Sequence, residues 1–591
     1  MLNKTQQAFD VPLPNPASDR RWGSDLIAEL IRKLDIPFIV LTPGASFRGL
    51  HDSLVNHLGN SNPPMRVVLH EEHAVAIAHG YAKVTGKPVA AVVHSNVGLM
   101  HATMAIFDAW ADRVPVLVLG ATGPLDAAKR RPWIDWLHTS QDQAAMIRHY
   151  VKWDAQPSSV PATLEAITRA WRTIQTLPHG PAYVSMDAEV QEREVLEPVV
   201  LPDLGRHQPP APPVASALAM NQLVETLQQA KRPLILMGRM GRGEPAWQAR
   251  LQLVERLGAA VLTDLKAAAS FPNEHPQHAA AAGTFMGEDA KQILAQADVI
   301  LSLDWVDLGG TLKQAFGGQV SATVIQVSMD HHIHNGWSMD HQGLPVADQF
   351  LACDPDEVVQ QLNDALTAAA KTPWTEPQEP LALHAPMPEG PMTVQRLAHH
   401  LWLALDGQPA CLARTPLSWN GDFWPVRHPL DYLGIDGGGG VGSGPGMAVG
   451  AAMALAGTDR LPISLLGDGD YLMGVNAIWT AAKYQIPGLI IVCNNRSFYN
   501  DEVHQERVAR VREREVANKW VGQRLDDPAP DLAGLARAQG LIGMGPISDD
   551  ESLQQALKSA IASVNEGKFV VVDVHVASGY SPSMTSGLTK S

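Results

Sequence analysis

The chain has 591 residues, 45% hydrophobic and 18% charged, which supplies several cores and argues against long disorder. Lys plus Arg number 45 against 61 Asp plus Glu, and a formal charge of −16 argues against a general nucleic-acid binder. No apolar run approaches the ~18 residues of a membrane span, the start MLNKTQQAFD lacks a signal-peptide core, and Cys353, Cys411 and Cys493 form no CxxC pair, so a soluble cytoplasmic protein without a disulfide framework or Cys-rich zinc site is expected.

Two proline-rich stretches, Pro198–Pro213 and Pro373–Pro391, read as extended linkers, because proline sustains neither helix nor central strand. They divide the chain into 1–195, 215–370 and 392–591. In the first unit, Pro37–Leu41, Val89–Val93 and Val114–Leu119 are short strand-like runs, with a helical pattern at Glu72–Val84. The segment Leu69-His70-Glu71-Glu72-His73 opens that helix. A helical zinc site there lacks HExxH or HxxEH spacing. Acidic residues at a helix N-terminus are also favoured without any further role. Gly80 follows Glu71 by nine residues in Gly80-Tyr81-Ala82, and TGKPVAAVVHSNVG runs from Thr85 to Gly98. Gly80 to Lys87 mimics a Walker A loop but has one intervening residue too many and ends at Pro88. Further on, Lys129-Arg130-Arg131-Pro132-Trp133 reads as a surface loop or an anion contact.

The second unit has strands at Pro233–Met237, Asp298–Leu303 and Thr323–Val327. Asp330-His331-His332-Ile333-His334 looks like a metal cluster, but a polar loop after the last strand is the simpler reading. No motif marks an FAD or ADP site here, although the pattern is compatible with one.

In the third unit, Gly437 to Gly444 is glycine-rich and contains a formal GxGxxG, yet no strand leads into it and no acidic residue follows at the dinucleotide spacing. A Gly/Ala-rich helix is expected at Met447–Ala456. Strand Pro462–Leu466 ends in Gly467-Asp468-Gly469-Asp470, and strand Gly488–Cys493 ends in Asn494-Asn495. A helix is expected between them over Tyr471–Tyr484. Ligands of open α/β sheets bind at the carboxyl ends of strands. A carboxylate and an amide oxygen placed there are hard ligands for a divalent cation, and glycine lets backbone N–H groups approach a phosphate. The run after Asn500, dense in Glu and Arg, fits either a solvated helix or a lid. Continuous apolar strands alternating with helices predict an α/β protein of three successive open parallel-sheet domains.

Asp468 and Asn495 lie 27 residues apart. With the Glu71 to Gly80 unit, this resembles the thiamine diphosphate-dependent decarboxylase and carboligase family, of the benzoylformate decarboxylase and acetolactate synthase kind. The resemblance implies pyrimidine-binding, central and diphosphate-binding domains at 1–195, 215–370 and 392–591. It implies Glu71 as the acid that activates the cofactor, with His94 and His70 moving protons in later steps. Thiamine diphosphate would be held by Gly439, Val441, Gly467, Asp468, Gly469, Asp470 and Asn495. Magnesium would be held by Asp468, Asn495 and the carbonyl of Ser497. Val441 is smaller than the family's usual residue, Asp470 replaces a small one, Ala45 replaces a substrate-contacting Ser, and His101 stands where acetolactate synthases carry Asn.

The implied activity is decarboxylation of a 2-keto acid, followed by protonation of the resulting enamine or its ligation to an aldehyde or ketone acceptor. The family's sites lie between subunits, which implies a homodimer or homotetramer with no nucleic-acid or membrane partner. Acetolactate synthase and then 2-hydroxyacyl-CoA lyase are the alternatives. A non-catalytic nucleotide-binding protein on the same fold is the alternative from another class.

Overall fold

The structure is a computed structural model that describes residues 9–16, 18–330, 344–367, 370–378, 381, 383–385, 387–435 and 437–589. It contains three open sheets, all of whose strand pairs are parallel. The first holds β1 Ile39–Leu41, β2 Met65–Val67, β3 Ala90–Val92, β4 Leu117–Thr122, β5 Asp154–Ala155 and β6 Ala182–Asp187 in the order β2-β1-β3-β4-β6-β5. The second holds β7 Pro233–Met237, β8 Ala260–Thr263, β9 Val299–Leu303, β10 Thr323–Val327 and β11 Gln349–Leu351 in the order β11-β10-β9-β7-β8. The third holds β12 Ala410–Arg414, β13 Leu461–Gly467, β14 Gly488–Asn494, β15 Ile542–Ile547 and β16 Phe569–His575 in the order β12-β13-β14-β16-β15. The inner strands β3, β4, β9 and β14 are buried along their whole length, because helices cover both faces of a parallel sheet.

The described residues pack into two compact units. One lies within 1–211, 436–458 and 474–487, and the other lies within 212–435, 459–473 and 488–591. In the first, helix Glu71–Thr85 starts on the cap residue His70, whose Nδ1 accepts from Glu72 N, and ends on left-handed Gly86. Helix Gly444–Leu455 belongs to this unit and packs on helix Glu71–Thr85 at backbone distance. A Cβ at Gly80 would lie 2.2 Å from the Met447 carbonyl oxygen, and one at Gly450 would lie 2.1 Å from the Ile77 carbonyl oxygen. Only glycine allows that approach. Lys83 and His79, near the end of helix Glu71–Thr85, contact the Asp112 carboxylate at 2.6 and 2.9 Å. Asp112 caps helix Ser95–Ala111, so a buried ion cluster locks the two helices together.

The Tyr471–Tyr484 expectation resolves into helix Asp468–Gly474, a short 3₁₀ turn and helix Ile478–Tyr484. The three cysteines are buried and free. Among the described residues no helix is long and apolar enough to cross a membrane.

Candidate active site

In the first unit, chemistry gathers at the carboxyl edge of adjacent strands β2, β1, β3 and β4. Leu41 of β1 pairs with Val67 of β2 and with Val92 of β3, so the loops leaving these strands are neighbours. Glu71 follows β2, Ser46 follows β1, His94 follows β3 and His138 follows β4.

Glu71 is 7% exposed at the first turn of its helix. His101 Nδ1 lies 3.0 Å from its Oε2, and the ring of His70 stacks on that of His101 at 4.7 Å. Burial, then the charge of His101, holds the His70 imidazolium below its ordinary range. Burial takes neighbouring His73 down to about 4, so it stays neutral at physiological pH.

His94 caps helix Ser95–Ala111 and is half-buried. Its Nδ1 lies 2.8 Å from Ser46 Oγ and 3.4 Å from Ser46 N. The His138 ring lies against it at 4.6 Å. A Cβ at Gly44 would stand 2.6 Å from the His94 Cβ, which makes that glycine a condition of the His94 position. Ser46, His138 and the His101 contact with Glu71 have no sequence signal, because they meet only through the parallel register.

The glycine run packs against helix Ser95–Ala111 in the same unit. A Cβ at Gly437 would fall 2.5 Å from Asp112 Oδ1, at Gly438 2.3 Å from Asp108 Oδ1, and at Gly440 2.6 Å from Met104 Cε. Gly439 is left-handed at φ 71 with nothing within 4 Å of where a Cβ would stand, and Val441 is 43% exposed. The run is thus an ordered backbone seat.

In the second unit, Gly467 of β13 pairs with Cys493 of β14, so Asp468 and Asn495 leave neighbouring strand ends. The Ser497 N–H donates to both Asp468 Oδ2 at 3.3 Å and Asn495 Oδ1 at 2.9 Å. One amide therefore holds the two oxygens side by side. Burial raises the Asp468 carboxyl to about 6 against the opposing pull of backbone N–H donors, those of Gly469, Arg496 and Ser497 among them. Beyond Gly467, no atom lies within 4 Å of where a Cβ would stand. A buried carboxylate, an amide oxygen and an open glycine edge fit a hard divalent cation carrying a diphosphate.

Asn494 has a different task, since its side-chain amide donates to Asp573 and ties β14 to β16. Asp470 accepts from Arg414 at 3.3 Å, so its unusual carboxylate is charge-matched. The Ser497 hydroxyl donates to buried Glu502, which also pairs with Arg524 at 3.1 Å. Helix Tyr499–Val511 accordingly turns Glu502 inward, while Glu506 makes surface pairs with Arg510 and Lys519.

Among the described residues no group of three or more His, Cys, Asp and Glu is arranged to hold a metal. His331, His332 and His334 lie outside the described residues, and Asp330 pairs with Arg239 at 2.7 Å. The basic loop near Trp133 is tied down by an Arg131–Asp135 pair and by Arg130 donating to the carbonyls of Pro124 and Leu125.

Three family profiles match consecutive stretches of the chain. They are the N-terminal TPP binding domain of thiamine pyrophosphate enzymes over residues 21–146, the central domain over 220–362 and the C-terminal TPP binding domain over 416–574. The chain belongs to the thiamine pyrophosphate enzymes. It is an enzyme of the decarboxylase and acetolactate synthase kind within them.

Similar proteins include a probable acetolactate synthase large subunit of Methanocaldococcus jannaschii, 25% identical over 92% of this chain and 90% of that one. A probable 2-ketoarginine decarboxylase of Pseudomonas aeruginosa is 27% identical over 91% and 92%. The benzoylformate decarboxylase of the same species is 24% identical over 84% and 89%. In fold, the chain is similar to the crystal structure of benzoylformate decarboxylase from Polynucleobacter necessarius, with a TM-score of 0.77 and 20% identity over 95% of this chain and 100% of that one. It is also similar to the 4-hydroxybenzoylformate decarboxylase of Rhodococcus jostii RHA1, with a TM-score of 0.73 and 21% identity over 95% and 100%.

Proposed function

We propose that this thiamine pyrophosphate enzyme depends on magnesium, decarboxylates a 2-keto acid, and either protonates the remaining fragment or joins it to an aldehyde or ketone. The observation that carries the reading is the row of Ser46, Glu71, His94 and His138 at the carboxyl edge of four adjacent strands. A buried acid and two imidazoles suit a reaction that needs proton exchange and a shielded substrate. Bound thiamine pyrophosphate supplies the electron sink for loss of carbon dioxide.

Glu71 would hydrogen-bond the aminopyrimidine, with Gly439 offering a carbonyl and Val441 an apolar support. Asp468, Asn495 and the Ser497 carbonyl would hold the magnesium, and Gly467, Gly469 and Asp470 would line the diphosphate. His94 and His70 lie on the substrate side. In this reading 1–195 binds the pyrimidine, 215–370 is central, and 392–591 binds diphosphate and metal. The active form is a cytoplasmic homodimer or homotetramer whose sites form between subunits.

Acetolactate synthase is the second reading, supported by the similarity to the Methanocaldococcus jannaschii protein. The imidazole at His94 favours the decarboxylase, since the synthases of this family place a small hydroxyl residue there. Calorimetric titration with thiamine pyrophosphate, with and without magnesium, tests the cofactor assignment. A screen of 2-keto acids with product analysis separates aldehyde release from carboligation. Absence of turnover and of carbon dioxide from every 2-keto acid, in a protein that binds the cofactor, would contradict the proposal.

A further inference from the structure

Two donors address the same nitrogen of His94. The Ser46 backbone N–H can only donate, and it points at Nδ1 from 3.4 Å. Nδ1 is therefore an acceptor. Ser46 Oγ lies 2.8 Å from the same nitrogen and already accepts the Ser95 N–H at 3.1 Å, so its own proton is directed to Nδ1. Ser46 is 5% exposed, and its carbonyl is held by the buried Gln191 amide at 3.1 Å, so the loop is fixed. In a neutral ring whose Nδ1 accepts, the proton resides on Nε2.

The titratable groups that act on His94 are His138, from the loop after β4, and Glu71, from the helix after β2. Burial first, and then His138, hold the imidazolium below the ordinary range against the opposing pull of Glu71. A neutral Nε2–H ring whose other nitrogen is occupied is a poor proton shuttle. It is a well-fixed hydrogen-bond donor.

We propose that His94 serves as a neutral donor, through Nε2–H, to an oxygen of the 2-keto acid, and that Ser46 is the positioning residue that fixes this tautomer. The proposal rests on the function given above. It replaces a relay role for His94 with stabilisation of charge that develops on a substrate oxygen. No proton changes hands at Nε2. The hydrogen bond strengthens as the oxygen gains charge. The hydroxyl that the family carries one position earlier, where this chain has Ala45, is here spent on orienting the imidazole.

Two experiments decide the point. The first compares His94→Gln with His94→Leu in single-turnover assays on a 2-keto acid that the parent consumes. Gln keeps an N–H donor and lacks the basicity of a shuttle. His94→Gln is expected within about tenfold of the parent and His94→Leu about 100- to 1,000-fold below it. Equal, large losses in both would overturn the donor role.

The second needs no turnover. Nitrogen NMR of holoenzyme labelled with 15N-histidine, with His94 assigned by difference, reads the tautomer from about pH 6 to 8. Where the ring is neutral, the parent is expected to show a bare Nδ1 and a protonated Nε2, with its protonation midpoint below that of an ordinary imidazole. Ser46→Ala should mix the tautomers and raise the protonation midpoint, and Ser46→Thr should restore the parent pattern. A protonated Nδ1 in the neutral parent ring would overturn the tautomer assignment, and an unchanged spectrum in Ser46→Ala, which keeps the backbone N–H, would overturn the Ser46 hydroxyl as the group that fixes it. A parent that consumes no 2-keto acid overturns the functional reading, and with it the substrate contact, while the spectra still decide the tautomer.

Discussion

A Cβ on Gly98 would stand 2.8 Å from Glu71 Oε1. The glycine at the first turn of helix Ser95–Ala111 therefore makes room for the buried carboxylate at the start of helix Glu71–Thr85. Gly98→Ala is expected to push Glu71 off its seat. The overpacking should destabilise the fold by about 1–3 kcal/mol, read by thermal melting. Proton exchange of bound cofactor, followed by NMR, should slow by tenfold or more, since the new methyl group displaces the acid. An exchange rate equal to the parent's would show that the seat does not govern the chemistry.

Asp468 and Asn495 share one amide donor, which fixes them as a pair. Asp468→Ala removes the only carboxylate of the set and leaves the diphosphate uncompensated. Affinity for thiamine pyrophosphate should fall by tenfold or more, about 1.4 kcal/mol, and lose its dependence on magnesium. Calorimetry in the presence and absence of the metal makes the comparison. Unchanged affinity in both conditions would remove Asp468 from the metal site.

The Asp112 cluster predicts a specific acid sensitivity. Burial alone would raise this carboxyl, but Lys83 and His79 bring it down to about 2, below an ordinary Asp. A depressed folded value means that the stabilisation is present above the unfolded value near 3.8 and is lost as pH falls through about 2. Lys83→Met should leave a buried carboxylate short of its cation, destabilise the protein by about 3 kcal/mol, and move acid unfolding to higher pH. Denaturant melts of both proteins at several pH values provide the check, and coincident acid midpoints would count against the cluster.

Gly80→Ala tests the close helix crossing. The methyl group meets the Met447 carbonyl oxygen at 2.2 Å, and backbone cannot yield as a side chain can. A loss of about 2 kcal/mol or more in denaturant stability is expected. A neutral or stabilising result, as helix propensity alone would give, would mean that the crossing is looser than described.

Pro233–Met237 was legible because a strand buried on both faces is one continuous apolar run, and β7 has those boundaries. Thr323–Val327, with Thr323 exposed and Gln326 half-buried, was legible through its β-branched residues, and β10 has those boundaries too. That Asp468 and Asn495 lie side by side was legible because each follows a strand that the apolar pattern marks. The glycine run carried an expected cofactor contact at Gly439 and Val441 only through the family resemblance, and nothing in the sequence pointed to a packing reason for its other glycines. Its reason lies on helix Ser95–Ala111, more than 300 residues earlier in the chain, where Asp108, Asp112 and Met104 occupy the space of its Cβ atoms. Ser46, His94 and His138 are likewise far apart in sequence and are brought together by strand order β1-β3-β4. Asp470 was unexplained until Arg414, at the end of a neighbouring strand, supplied its charge partner.

Glu71→Gln tests the central claim most directly. Gln keeps the shape and volume at the helix start but carries no exchangeable acid proton. The variant should fold, bind thiamine pyrophosphate with near-parent affinity by calorimetry, and show hydrogen–deuterium exchange at the cofactor's thiazolium carbon slowed by roughly 100- to 10,000-fold. Exchange at the parent rate in a fully loaded variant would contradict the assignment of Glu71 as the activating acid.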